Sequence, residues 1–245
     1  MSTKQSWYLH CSPEDVGTSA VLVGDRGRVA LAAELMTDVV MHNEDRGLTT
    51  ATGIYNGQRI TVSAFGMGAP IAAVVLHELA GLGVRRMLRL GTVLAASETQ
   101  LGDLVIAHGA IRGEATSTSY LPIEFPAVPD FNLTTDITVV AQAGSRPVRG
   151  GLYASYDGFY TKMMAPTMEG QSELMTRLAS QGVVGFDMET SAVLVVARAL
   201  GVAAASLCLA TVDGHTFDTL PDDDRRVAES DLLRVGLDAL TRTGA

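Results

Sequence analysis

Apolar runs of strand length alternate with segments of helical period along almost the whole chain. Residues 20–23 are a short apolar run closed by Gly24-Asp25. Residues 28–36 follow as a helix with Val29, Leu31, Ala32 and Leu35 on one face. Residues 59–65 alternate like a strand. Gly66-Met67-Gly68-Ala69-Pro70 breaks the alternation, and Pro70 suits the first turn of a helix that sets Ile71, Val74, Val75 and Leu79 on one stripe. Residues 85–90, ending in Gly91-Thr92, and residues 103–108, 152–156 and 183–186 read as further strands. Residues 190–200 read as a helix stopped at Gly201, 202–212 as a buried strand and 225–240 as an amphipathic terminal helix. Residues 120–147, rich in Pro, Asp and Thr, are the least structured stretch and read as an excursion within one domain. This alternation with buried strands predicts a single α/β domain over residues 1–245, built on a largely parallel or mixed sheet covered by helices. Ligands of such sheets sit beyond the carboxyl ends of strands, where the polar clusters of this chain also fall.

Composition narrows the function classes. Hydrophobic residues make up 47% of the chain and charged residues 18%, which excludes a disordered chain. A net charge of −9 argues against a general nucleic-acid binder, yet leaves room for a small anion held by a few local arginines. Cys11 and Cys208 are far apart and lack Cys or His neighbours at ligand spacing, so neither a disulfide framework nor a metal site is expected. Residues 1–15 show no apolar signal segment. Residues 191–212, the most membrane-like stretch, hold Arg198 and Gly201 in their middle. The expectation is a cytoplasmic protein with no membrane partner.

Five clusters carry chemistry. Gly24-Asp25-Arg26-Gly27-Arg28 is a Gly-rich strand-to-helix turn with an arginine at hand, suited to a phosphate or to a plain turn. In Leu88-Arg89-Leu90-Gly91-Thr92 an arginine lies inside an apolar strand. That placement is costly unless the charge is paired or meets an anion, and function is the favoured reading. In Asp187-Met188-Glu189, a carboxylate opens a helix. Capping explains it on physics alone, and a ribose diol is the alternative. Asp213-Gly214, after the buried strand, suits a turn, or a general acid with its pKa raised by partial desolvation. The aromatics of Tyr156-Asp157-Gly158-Phe159-Tyr160 suit base stacking or core packing.

In this order, the clusters resemble the nucleoside phosphorylase family of trimeric or hexameric purine nucleoside phosphorylases and uridine phosphorylases. The likeness runs from about Tyr8 to the terminal helix and rests on Gly24-Asp25-x-x-Arg28, Gly66-x-Gly68-x-Pro70, Leu88-Arg89-x-Gly91-Thr92 and Asp187-Met188-Glu189. It implies a single α/β domain around a mixed, partly barrelled sheet flanked by helices. It also implies reversible phosphorolysis of a ribonucleoside to free base and ribose 1-phosphate, with inorganic phosphate as co-substrate, no other cofactor and no metal. By motif, Gly24, Arg28, Arg89 and Thr92 would hold phosphate, joined by Arg46 from a neighbouring subunit. Met188 and Glu189 would hold the ribose, with Tyr8 or His10 reaching across to a neighbour's ribose. Phe159, Val184 and Phe186 would line the base pocket. Arg89 and Asp213 would be catalytic. Asp213 stands where purine-specific members place an acid, and residues 161–168 lack the Gln and Arg of uridine phosphorylases, so purines are favoured. A homo-oligomer, dimer to hexamer, is implied. The alternatives are a uridine phosphorylase, a nucleosidase of the same fold and a non-catalytic nucleoside-binding protein. The chain departs from the family at Arg26, in place of Pro. It departs again at Val93-Leu94, in place of a small residue and Gly, and there Leu94 would crowd the base pocket.

Overall fold

A computed structural model describes residues 5–164 and 171–242. In chain order the strands and helices are β1 Ser19–Val23, α1 Gly27–Ala33, β2 Thr37–Asn43, β3 Thr50–Tyr55, β4 Gln58–Ala64, α2 Ala69–Leu82, β5 Arg86–Ala95, β6 Leu104–Gly113, α3 Phe131–Ala143, β7 Val148–Tyr156, α4 Gln171–Ser180, β8 Val183–Asp187, α5 Thr190–Leu200, β9 Ala203–Asp213 and α6 Asp222–Thr241. The nine strands form one mixed sheet in the order β2-β3-β4-β1-β5-β8-β7-β6-β9, and β9 pairs back onto β5. That last pairing closes β5, β8, β7, β6 and β9 into a ring, and the other four strands extend from β5 as an open wing. The expected mixed, partly barrelled sheet flanked by helices is what the chain forms.

The central strands are apolar on both faces because helices cover both. β1 is buried at all five positions, and β5 at eight of ten. One apolar layer packs α1, α3 and α6 through Val29, Ile137 and Leu232. The other packs α2 and α5 through Leu76, Leu79 and Val195.

The local patterns of β1, β4, α5 and α6 match their elements to within a few residues. Elsewhere the structure corrects the expectation. The strand carrying Arg89 does not stop at Gly91-Thr92. It runs on to Ala95, because Gly91 and Thr92 keep pairing with Cys208 and Leu209 of β9. The buried stripe of α2 is Ala72, Ala73, Val75, Leu76 and Leu79, with Ile71 and Val74 only partly covered. The stretch 120–147 contains α3, capped by Asp130, whose side chain accepts from the Leu133 amide, and buried through Leu133, Ile137 and Ala141. Its β-branched threonines and valines weaken helix propensity, and packing on α6 overrides that. β2, β3 and α4 had no counterpart in the sequence pattern.

The placement of β5 creates the site. β5 pairs with β1 only up to Leu90 and meets β8 only from Leu94. Between those registers the strand passes from one neighbour to the other. The crevice between diverging strands is where open α/β sheets bind ligands.

Candidate active site

The ends of β1, β4 and β8 and the starts of α1, α2 and α5 converge on that crevice. Gly24 follows β1, and its carbonyl accepts from the Gly66 amide at 3.0 Å. A Cβ at Gly24 would stand 2.9 Å from the Gly66 carbonyl oxygen, so only glycine lets the two turns meet this closely. Arg28, the second residue of α1, is buried. Its Nη1 donates to the Leu90 carbonyl at 2.9 Å, and its Nε lies 3.7 Å from Glu229 with no hydrogen-bond partner. Burial pulls the Arg28 pKa down, and Glu229 opposes that pull, while nearby Arg89 adds to it.

Arg89 is the most enclosed charge here, 3% exposed. Its Nη2 donates to Glu189 Oε2 at 2.5 Å, its Nη1 donates to Cys208 Sγ at 2.6 Å, and Asp187 Oδ2 lies 3.3 Å away. Its Nε has no partner. Burial works against the charge, but the Cys208 sulfur and the Asp187 and Glu189 carboxylates outweigh it and hold the pKa well above the ordinary arginine value. Burial pushes the Cys208 thiol up. Gly91 explains how the guanidinium fits. A Cβ there would lie 2.3 Å from Arg89 Nη1 and 2.6 Å from Cζ, so the side chain folds back over its own strand across a bare backbone. This glycine serves the arginine, not a turn.

Capping at α5 falls to Asp187, not Glu189. Asp187 accepts from the Thr190 amide at 3.1 Å, from the Thr190 hydroxyl, and from Ser155 Oγ at 2.6 Å. Ser155 in turn accepts from the Ser191 amide, and Ser191 Oγ donates to Glu114 at 2.8 Å. With the cap supplied by its neighbour, Glu189 is free to face the crevice. Its Oε1 accepts from the Gly68 amide at 2.7 Å and its Oε2 from Arg89. Gly68 has φ of 101°, a conformation open to glycine, and so aims its N–H at that carboxylate.

Phe159 and Met188 pack together with Phe186 and Leu94 in one apolar cluster beside the crevice. Phe186 is fully buried there, its backbone paired with Leu94. The leucine expected to crowd this side therefore fills it. Val184 is half-buried, and its carbonyl accepts from Thr99 Oγ1 at 2.8 Å. Thr92 is partly exposed within β5.

Asp213 ends β9 and differs from the expectation. Its Oδ1 accepts from the His215 amide at 2.7 Å and the Thr216 amide at 2.9 Å, and these bonds hold its pKa below the ordinary carboxylate value. The desolvation that was to raise it is outweighed.

Tyr8, His10 and Arg46 gather on the surface. The Arg46 guanidinium lies 5.7 Å from the Tyr8 ring, and His10 Nε2 lies 3.8 Å from Asp45. Glu78 of α2 pins the segment by accepting from the Tyr8 and Leu9 amides, each at 2.9 Å. Arg46 has φ of 56° and is exposed. Among the described residues, no hydrogen bond or ion pair joins this group to Arg28, Arg89 or Glu189. Residues 165–168 of the segment read for a Gln and Arg lie outside the described residues. No grouping of His, Cys, Asp and Glu suited to a metal occurs among the described residues, and no helix there is long and apolar enough to cross a membrane. A separate cleft lined by Asp130 and Arg198 lies at the other end of α5 from Glu189.

Sequence reasoning missed Asp187 as the cap, and with it Ser155, Cys208 and Glu229. Glu229 had a visible signal. It lies on the apolar stripe of α6 with Leu232, Leu233 and Gly236, where an unpaired acid is costly.

Residues 18–241 match the family model described as the phosphorylase superfamily. A guanosine phosphorylase of Halorubrum lacusprofundi is 31% identical, over 93% of this chain and 94% of the relative. A uridine phosphorylase of Thermococcus kodakarensis is 32% identical, over 82% of this chain and 75% of the relative. The crystal structure of a uridine phosphorylase from Vibrio fischeri superposes with a TM-score of 0.89 at 27% identity, covering 99% of this chain and all of the other.

Proposed function

We propose the following reaction for this chain, which belongs to the phosphorylase superfamily: phosphate-dependent cleavage of a ribonucleoside to free base and ribose 1-phosphate, with purines favoured. One observation carries it. Arg28 and Arg89 are both buried at one crevice, each keeps an Nε without a partner, and Glu189 stands beside Arg89. Two buried guanidiniums with spare donors suit a doubly charged anion, and a carboxylate alongside suits a sugar diol.

In this reading the phosphate lies against Gly24, Arg28, Arg89 and Thr92. Met188 packs on the ribose, and Glu189 accepts its 2′- and 3′-hydroxyls. As the bond between C1′ and the base nitrogen breaks, the electron pair leaves with the base and positive charge builds on the ribosyl ring. A phosphate oxygen then forms the new bond to C1′, and the base takes up a proton. The arginines orient the nucleophile, and the phosphate charge stabilises the ring. Phe159, Val184, Phe186 and Asp213 sit on the base side. At neutral pH Asp213 is a carboxylate and serves the base as a hydrogen-bond acceptor. To act as an acid, it would first have to release its two backbone donors.

The guanosine phosphorylase relative supports a purine. A pyrimidine is the second reading, favoured by the uridine phosphorylases among the relatives and solved structures. The test is a panel of guanosine, inosine, adenosine and uridine with and without phosphate, read as free base. Purine release that requires phosphate is the expected result. Release without phosphate would make the protein a nucleosidase, and binding without turnover a sensor. We place the protein in the cytoplasm as a homo-oligomer in which Arg46, with Tyr8 or His10, completes the neighbouring site. Mixing Arg46→Ala with Arg89→Ala protein should then restore part of the activity, and a fully active monomer would refute the shared site.

A further inference from the structure

Arg28 has little to hold it. Its one side-chain hydrogen bond among the described residues runs from Nη1 to the Leu90 carbonyl, and it shares a low-dielectric pocket with a second arginine. The opposing carboxylate comes from the far end of the chain, since Glu229 lies on α6. Glu229 Oε1 is 3.7 Å from Arg28 Nε, beyond hydrogen-bond length, and accepts from Arg225 Nε at 3.2 Å. Glu229 is nearly buried, whereas Arg225 is 42% exposed. Two turns along the same face of α6, Gly236 meets β5, where a Cβ would stand 2.4 Å from Leu90 Cδ1. The bare helix surface lets α6 lie against the residue whose carbonyl takes Arg28. An ion chain thus runs inward from solvent through Arg225 and Glu229 to Arg28.

We infer that Glu229 is a positioning residue for Arg28, holding that guanidinium turned towards the anion while Arg225 anchors the carboxylate from the surface. The inference rests on the phosphate role proposed above. Glu229 compensates the buried charge without occupying its free Nε, so the donor stays available. Glu229 lies 3.7 Å from this side chain and outweighs Asp25 as the opposite charge near it, so its loss frees the guanidinium to shift, and a small misplacement of a substrate-orienting group is costly.

The test compares Glu229→Ala, Glu229→Gln, Glu229→Asp and Arg225→Ala by the separate KM values for phosphate and nucleoside. Glu229→Ala and Glu229→Gln should raise the phosphate KM about tenfold, with the nucleoside KM within about twofold. Glu229→Asp should recover part of the loss. Arg225→Ala alters only a half-exposed side chain and carries the test if Glu229 variants fold poorly. It should shift the phosphate KM in the same direction by about threefold. An unchanged phosphate KM, an equal rise in both KM values, or a fall in the phosphate KM overturns the inference. A fall is the sign expected of a carboxylate that merely repels the anion. Should the parent protein release no base with phosphate, the reaction proposed above fails separately. The inference is then read from the rise in melting temperature that inorganic phosphate induces. A smaller rise in Glu229→Ala than in the parent supports it, and equal rises, or none in the parent, overturn it.

Discussion

The floor of the crevice and its rim solve different problems. On the floor, Arg28, Arg89, Asp187 and Glu189 are all buried; Arg89 holds Asp187 and Glu189, and Arg28 meets the Leu90 carbonyl and Glu229. Each has contacts that its own element could not supply. On the rim, Asp213 bonds to residues two and three ahead of it, and Arg46 touches Tyr8 at the surface. On the floor, removing Arg89 strands two buried carboxylates. The rim is satisfied locally, so it can change without disturbing the sheet. In the proposed reading, Arg28, Arg89 and Glu189 are built into the core, whereas Asp213 sits on a turn.

The comparison breaks most visibly at Arg89. Arg89→Ala should abolish phosphorolysis, a loss on the order of several kcal/mol in kcat/KM. It should also lower stability by about 3–5 kcal/mol, because Asp187 and Glu189 would remain buried without their partner. Urea unfolding alongside kinetics separates the two effects. A variant that loses activity with unchanged stability would show that the floor is not mutually supported. Gly91→Ala is a finer probe of the same region. The added methyl displaces the Arg89 guanidinium, and kcat/KM should fall about 100-fold while the circular dichroism spectrum is retained. Near-parental kinetics would mean that the arginine tolerates another path.

The rim should respond less. Asp213→Asn keeps an oxygen to accept from the His215 and Thr216 amides, so the turn should persist and purine turnover should fall about tenfold. A loss of 100-fold or more would restore the role of general acid. The smallest effect concerns pH. The folded pKa of Asp213 lies below its unfolded value, so the stability that it contributes is present above the unfolded pKa and is lost only as pH falls through the folded one. Across about pH 5 to 8 Asp213 should not titrate, as the chemical shift of its own carboxyl carbon would report. A titration step in that window would contradict the assigned hydrogen bonds.

Much of the floor was legible in sequence because it breaks local rules. Arg89 stands in an apolar strand, and Gly24, Gly66 and Gly68 stand at strand ends. The partners were hidden, because they come from distant positions: Cys208 is 119 residues from Arg89, and Glu189 is 121 from Gly68. Asp187 and Glu189 are two residues apart, and the sequence offered a capping carboxylate without showing which of the two it is. Only the tertiary path of Arg89 separates their roles. The wing strand β2 was missed for a different reason. It is half exposed, and its polar and apolar positions follow neither period.

Closure of the ring has a consequence for how one copy of the chain meets another. Every described strand but β2 has a partner on each side over at least part of its length, so β2 is the described strand with one whole side unpaired. That edge is irregular. Its pairing with β3 slips between Thr37 and Val40 and again between Met41 and Asn43, and Asp38 adopts a left-handed φ of 52°. A second strand cannot zip along such a margin in continuous register, which blunts its use as a template for fibril-like stacking. Extension of the sheet from one copy of the chain into another through this margin is therefore disfavoured.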